Sequence, residues 1–168
     1  MTIRIRHERV GDIQPISALT AAAFLEAPHT DHTEQYVVAA LRQAGALTLS
    51  LVAEHQNHVV GHVAASPVTL SDGTENWYGL GPLSVAPVLQ RQGIGSALMR
   101  GVLAELKDIG AHGCVLLGDP NYYRRFGFKT VEGLTLPGMP PEYFQAILFE
   151  GRYPGGSVTY HAAFSATY

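Results

Sequence analysis

The chain has 168 residues, of which 46% are hydrophobic and 15% charged, with a formal net charge of −3. That length holds one sizeable core, and we expect a single domain over residues 1–168. The sparse, slightly acidic charge leaves no footprint for a polyanion, so nucleic acid is excluded as an expected partner. No uncharged apolar run reaches membrane-spanning length and the start, MTIRIRHERVGD, lacks an apolar targeting core, so no membrane partner and a cytoplasmic location are expected.

Thr2 to His7 alternates as a half-exposed strand does. Gly11 breaks the pattern and Asp12 offers an N-cap for a helix from Ile13 to Leu25. After the polar loop APHTDHT, Thr33 can cap a second helix that Gly45 ends. Leu47 to His55 and His58 to Leu70 are rich in strand formers, with Gln56-Asn57 as the hairpin turn between them. A further strand spans Trp77 to Val85, where Gly79, Gly81 and Pro82 predict a bulge or local splaying. From Gly93 to Ile109 the apolar period becomes helical, and Gly110 closes the helix. Gly113 to Leu117 reads as a short buried strand, Asp119-Pro120 as the cap and start of a short helix, and Phe128 to Val131 as strand. A tail rich in Gly, Pro and aromatic residues precedes a last strand from Ser157 to Phe164. Hairpin-linked strands with helices inserted early and after the middle strand predict a mixed α+β fold or a three-layer α/β sandwich.

The strongest local signal for chemistry is the run from Leu83 to Ser96, a strand, a short polar loop and a glycine-bearing helix start. A helix opens with about four backbone N–H groups that lack an intrahelical acceptor and with a partial positive charge, a combination that suits phosphate. Gly93 and Gly95 let the backbone approach phosphate oxygens, and Arg91 adds a charge at the mouth. Two rival phosphate motifs fail. No Lys follows Gly95 as a P-loop requires, and Leu98 stands where a dinucleotide fingerprint needs its third glycine.

Gln90-x-x-Gly93-x-Gly95, following Leu83-Ser84-Val85 and Pro87, resembles the Q/R-x-x-G-x-G/A motif of the GNAT acetyltransferase superfamily. Tyr123-Arg124-Arg125-Phe126-Gly127-Phe128 resembles that family's Y-x-x-x-G-F element, and the two occur in the family's order. The stretch from Gly118-Asp119-Pro120 to Phe128 is most similar to the YhbS-like bacterial subgroup. The resemblance implies the GNAT acyl-CoA N-acyltransferase fold, a mixed, mostly antiparallel, splayed sheet flanked by helices. It implies acetyl-CoA as cosubstrate, its pantetheine arm along Leu83, Ser84 and Val85 and its pyrophosphate on Gln90, Arg91, Gln92, Gly93, Ile94, Gly95 and Ser96. The acetyl group would pass by direct attack to a primary amine on a small molecule or peptide, and the fold admits a homodimer. A non-catalytic acyl-CoA sensor is the alternative.

Tyr123, chosen over Tyr122 by its spacing to Gly127-Phe128, is the expected general acid for the departing thiolate. For the base, Glu75, Glu54 and a water chain stay open. Leu116 stands where the family often has Asn, seven positions before the tyrosine. No metal is expected. His29-Thr30-Asp31-His32 reads as a solvated loop on the acceptor side, Cys114 as a buried inert thiol, and His55, His58, His62, His112 and His161 form no constellation.

Overall fold

The computed structural model describes residues 1–28 and 30–168. Among the described residues, eight strands and four α-helices follow in the order β1 (Arg4–His7), α1 (Ile13–Phe24), α2 (Glu34–Gln43), β2 (Leu49–His55), β3 (His58–Leu70), β4 (Trp77–Val85), α3 (Ile94–Asp108), β5 (Gly113–Leu117), α4 (Pro120–Tyr123), β6 (Leu134–Thr135), β7 (Phe144–Leu148) and β8 (Gly156–Tyr160). The sheet path is β1-β2-β3-β4-β5-β7, with β8 joining β3 and β6. The β1–β2, β2–β3, β3–β8 and β5–β7 ladders are antiparallel, while β4–β5 and β6–β8 are parallel. The chain divides into two compact units, and the division falls inside β3, β4 and α3.

The first unit holds Met1–Ala65, Gly81–Val102 and Ala162–Tyr168. Gln56 and Asn57, with φ of 49° and 65°, make the hairpin between β2 and β3, the left-handed pair that a two-residue turn requires. Ile16 of α1 and Val38 of α2 bury against Val52 of β2, while Val37, Leu41 and Ala46 close over Ala163. Ile94 and Leu98 of α3 rest on Gly61, where a Cβ would come within 3.0 Å of the Ile94 side chain and 2.9 Å of Leu98. That contact seats the start of α3 on β3.

Two expected caps are absent. Asp12 does not cap α1; its carboxylate takes two hydrogen bonds from Arg6, at 2.7 and 3.0 Å, and one from the Arg9 amide at 2.7 Å. A partly buried guanidinium outcompetes the helix end for that carboxylate. The Thr33 hydroxyl does not cap α2 either, although its carbonyl accepts from Tyr36 and Val37.

The second unit holds Ser66–Leu80 and Leu103–His161. Its core gathers Leu70, Trp77, Val115, Leu134, Phe144, Ala146 and Val158. Gly79 sits in the regular β4–β5 ladder opposite Val115, without a bulge, and its lack of a side chain answers to packing: a Cβ would overlap the Tyr160 ring. The conformational break comes at Gly81, whose φ is 124°. Phe128 to Val131 is not a strand; only Lys129 bridges, to Ala146. The tail rich in Gly, Pro and aromatic residues supplies β6 and β7, and the last strand ends at Tyr160, before a 3-10 turn at Ala162–Ser165.

Candidate functional site

In the first unit, β4 runs out at Val85, a 3-10 turn covers Pro87–Leu89, and α3 begins at Ile94. Four bonds shape the passage between them. The Ala86 amide donates to Val60 O at 2.8 Å, Leu89 N donates to Ala86 O at 2.8 Å, Gln90 Nε2 reaches back to Val85 O at 3.2 Å, and Ala97 N donates to Gly93 O at 3.0 Å. Gln90, Arg91, Gln92 and Gly93 are all exposed, whereas Ile94 is 1% exposed and Leu98 fully buried. The loop is therefore solvent-facing but anchored at both ends.

Its backbone is unusual. Arg91 has φ 64° and Gly93 has φ 87°, two left-handed residues flanking Gln92. For an arginine that conformation costs on the order of 1 kcal/mol, and such positions gather at functional turns. Left-handed residues interleaved with others turn successive N–H groups to one side, which makes a concavity for anions. The place where a Gly93 side chain would stand is open, with no atom within 4 Å. Ile94, Gly95 and Ser96 then form the first turn of α3, where the helix dipole favours negative charge.

On β4, Leu83 and Val85 are partly exposed and Ser84 is 1% exposed. The Ser84 hydroxyl is buried on the opposite face, without a hydrogen-bond partner among the described residues.

Tyr123 belongs to the second unit. Asp119 Oδ1 accepts from Asn121 N at 2.9 Å and starts α4, as the sequence predicts. The Tyr123 ring meets Tyr122 edge-on at 4.9 Å and Phe128 at 6.2 Å. Burial, and then the neighbouring Tyr122 and Asp119, push its phenol up to about 12. No described residue hydrogen-bonds its hydroxyl. The group thus keeps its proton throughout the neutral range and has no acceptor for it among the described residues.

Of the two carboxylates named as bases, Glu54 accepts from Arg6 Nε at 2.7 Å and is engaged in the Arg6–Asp12 cluster, while Glu75 is exposed. Cys114 is fully buried and its thiol is pushed far up by burial alone. His29 lies outside the described residues. Thr30 Oγ1 holds Glu34 and the His32 amide, and no group of three metal-ligating side chains occurs among the described residues.

One constellation has no sequence signal. Fully buried His62 bonds Ser50 through Nε2 at 2.8 Å, Ser50 Oγ donates to Glu8 Oε1 at 2.7 Å, and Arg42 grips Glu8 at 2.7 and 3.0 Å. Glu8, Arg42 and Ser50 also line a shallow cleft of about 270 Å³ with His7, Leu47 and Thr48. Burial pushes the Glu8 carboxyl up, but the hydrogen bonds from Arg42 and Ser50 outweigh it and leave it below the usual range.

The chain matches the acetyltransferase (GNAT) family over residues 14–128. It is 38% identical over 116 residues, 68% of this chain and 70% of the relative, to the uncharacterized N-acetyltransferase YhbS of Escherichia coli strain K12. Among solved structures it is similar to a GNAT family acetyltransferase from Brucella melitensis in complex with acetyl-CoA, with a TM-score of 0.87 and 48% identity over 97% of this chain and 98% of that one. Escherichia coli YhbS in complex with CoA gives a TM-score of 0.87 and 34% identity over 97% and 92%.

Proposed function

The chain belongs to the acetyltransferase (GNAT) family and has its fold, and from that premise we propose that it moves the acetyl group of acetyl-CoA to a primary amine of a small molecule or peptide. The observation that carries the reading is the turn from Gln90 to Gly93, with left-handed Arg91 and Gly93 leading into the first turn of α3. Two relatives of at least 34% identity are described with acetyl-CoA or CoA bound. In this chain, residues Gln90 to Ser96 would hold the pyrophosphate, and Leu83, Ser84 and Val85 would line the pantetheine arm. The partly exposed Leu83 and Val85 and the open space at Gly93 suit those roles.

The cosubstrate supplies an acetyl thioester. The attacking amine nitrogen bonds to the acetyl carbon as the carbon–sulfur bond breaks; the amine proton leaves to water and Tyr123 protonates the departing sulfur. A phenol that stays protonated up to about 12 holds that proton in reserve at any physiological pH. With Glu54 tied to Arg6, a water chain fits the base role better than that carboxylate. A single functional domain and a cytoplasmic location belong to the same reading.

The test is calorimetric titration with CoA and acetyl-CoA, followed by free-thiol release across a panel of amines that includes peptides, polyamines and aminoglycosides. Binding with amine-dependent release supports the proposal. Absence of CoA binding refutes it, and binding without release for any amine marks a sensor instead.

A further inference from the structure

Gln145 is the second residue of β7, opposite Leu116 in the β5–β7 ladder, and is 1% exposed. A carboxamide at such a site must find partners for both ends, yet this one finds a partner for only one. Gln145 Nε2 donates to the Gly118 carbonyl at 3.0 Å, while its Oε1 is buried with no hydrogen-bond partner. Turning the amide over would set its oxygen against the Gly118 carbonyl and lose the one bond it makes. An apolar residue there would leave the Gly118 carbonyl without this donor, so the one bond the carboxamide makes is the bond to Gly118.

What it holds is the residue beneath the Tyr123 ring. Gly118 follows the end of β5; its amide donates to Tyr143 O at 2.9 Å and its carbonyl takes the Gln145 bond, so it is fixed on both sides from the chain entering β7. A Cβ at Gly118 would overlap Tyr123 at Cε2 and come within 3.0 Å of Cδ2, so the ring lies directly on the glycine. Asp119, next in the chain, then caps α4, which carries Tyr123. A slip of the Gly118 peptide would move both the platform and the helix start.

We propose that Gln145 is a positioning residue for Tyr123, its carboxamide locking the Gly118 peptide so that the phenol is aimed for proton transfer. The role rests on Tyr123 acting as the acid named above, but the geometry can be read without turnover. The Gly118 α-protons should show a ring-current displacement in NMR spectra of the wild-type protein, and Tyr123→Leu should abolish it. Gln145→Leu should lose most of it as well.

In thiol release from acetyl-CoA, with water or a panel amine as acceptor, Gln145→Leu should lower kcat about 10- to 100-fold while KM for acetyl-CoA holds. In a Tyr123→Phe background the same substitution should cost nothing further. Should Gln145→Leu fail to fold, Gln145→Glu serves. Its carboxyl donates to Gly118 only when protonated, so turnover should fall with rising pH through a limb that the wild type lacks. An unchanged Gly118 signal in Gln145→Leu, an equal loss in both backgrounds, or a wild-type pH profile for Gln145→Glu each overturns the proposal. Wild-type turnover in Tyr123→Phe, beside a lost Gly118 signal in Gln145→Leu, refutes the acid role and leaves the positioning geometry standing.

Discussion

Ser50 and His62 share a hydrogen bond of 2.8 Å inside the β2–β3 ladder, and it determines which imidazole nitrogen carries the proton. Ser50 has one hydroxyl proton and gives it to the Glu8 carboxylate, which can only accept. Ser50 Oγ must then accept from His62 Nε2–H, so Nδ1, buried and without a partner, is the bare nitrogen. A bare nitrogen is the cheaper orphan, since a buried N–H without an acceptor forfeits a stronger interaction.

Acid stability follows from that neutral ring. Burial holds His62 down to about 4 from an ordinary 6.5, so as pH falls below 6.5 the unfolded chain takes up a proton that the folded one refuses. The contribution of this group to folding stability should decline from about pH 6.5 to about 4 and level off below, a loss on the order of 3 kcal/mol. Denaturant midpoints measured across that range should slope downward for the wild type and flatten for His62→Gln. Parallel slopes would remove His62 as the cause.

At the turn, Gly95→Val places a branched side chain on the first turn of α3, where the proposed pyrophosphate must come close. CoA affinity should fall at least ~10-fold while the far-ultraviolet circular dichroism is retained. Unchanged affinity in the folded variant would move the phosphate site elsewhere.

Tyr123→Phe keeps the ring contacts to Tyr122 and Phe128 and removes a hydroxyl with no protein partner among the described residues. Melting temperature should shift by no more than ~2 °C. The kcat should drop by roughly 10²- to 10⁴-fold, the usual worth of general acid catalysis. With the phenol at about 12, the wild type should show no alkaline loss from this group below about pH 11. Turnover equal to wild type would return Tyr123 to a packing role.

Gly79→Ala tests the other unit. The added methyl would overlap the Tyr160 ring and come within 3.1 Å of the Val68 side chain, both in regular strand. Overpacking of that kind costs about 1–3 kcal/mol. Urea titration of the variant should show a lowered midpoint with an unchanged slope. A stability equal to wild type would mean that Tyr160 swings aside without cost.

The local elements were legible because their signals are local. Gln56-Asn57 can adopt left-handed backbone cheaply, Asp119-Pro120 carries its own helix start, and the period from Ile94 to Leu106 is written in consecutive turns. The turn proposed to take the pyrophosphate is local in the same way, since glycine, strand end and helix start are neighbours in the chain. Two kinds of feature were not legible. β7 lies in the Pro- and Gly-rich tail, where the sequence marks no strand, and it pairs along Phe144 to Leu148 with the edge of β5. The partners of Asp12, His62 and Gln145 lie 6, 12 and 27 residues away, at Arg6, Ser50 and Gly118. No periodicity encodes such pairings. The sequence by itself determined the hairpin turn at Gln56-Asn57, the cap at Asp119 and the buried face of α3, but not the fates of Asp12 and Thr33. Only the tertiary structure decided where each buried polar group discharges its hydrogen bonds, because a polar atom out of water takes whatever partner the packing of distant strands leaves within about 3 Å.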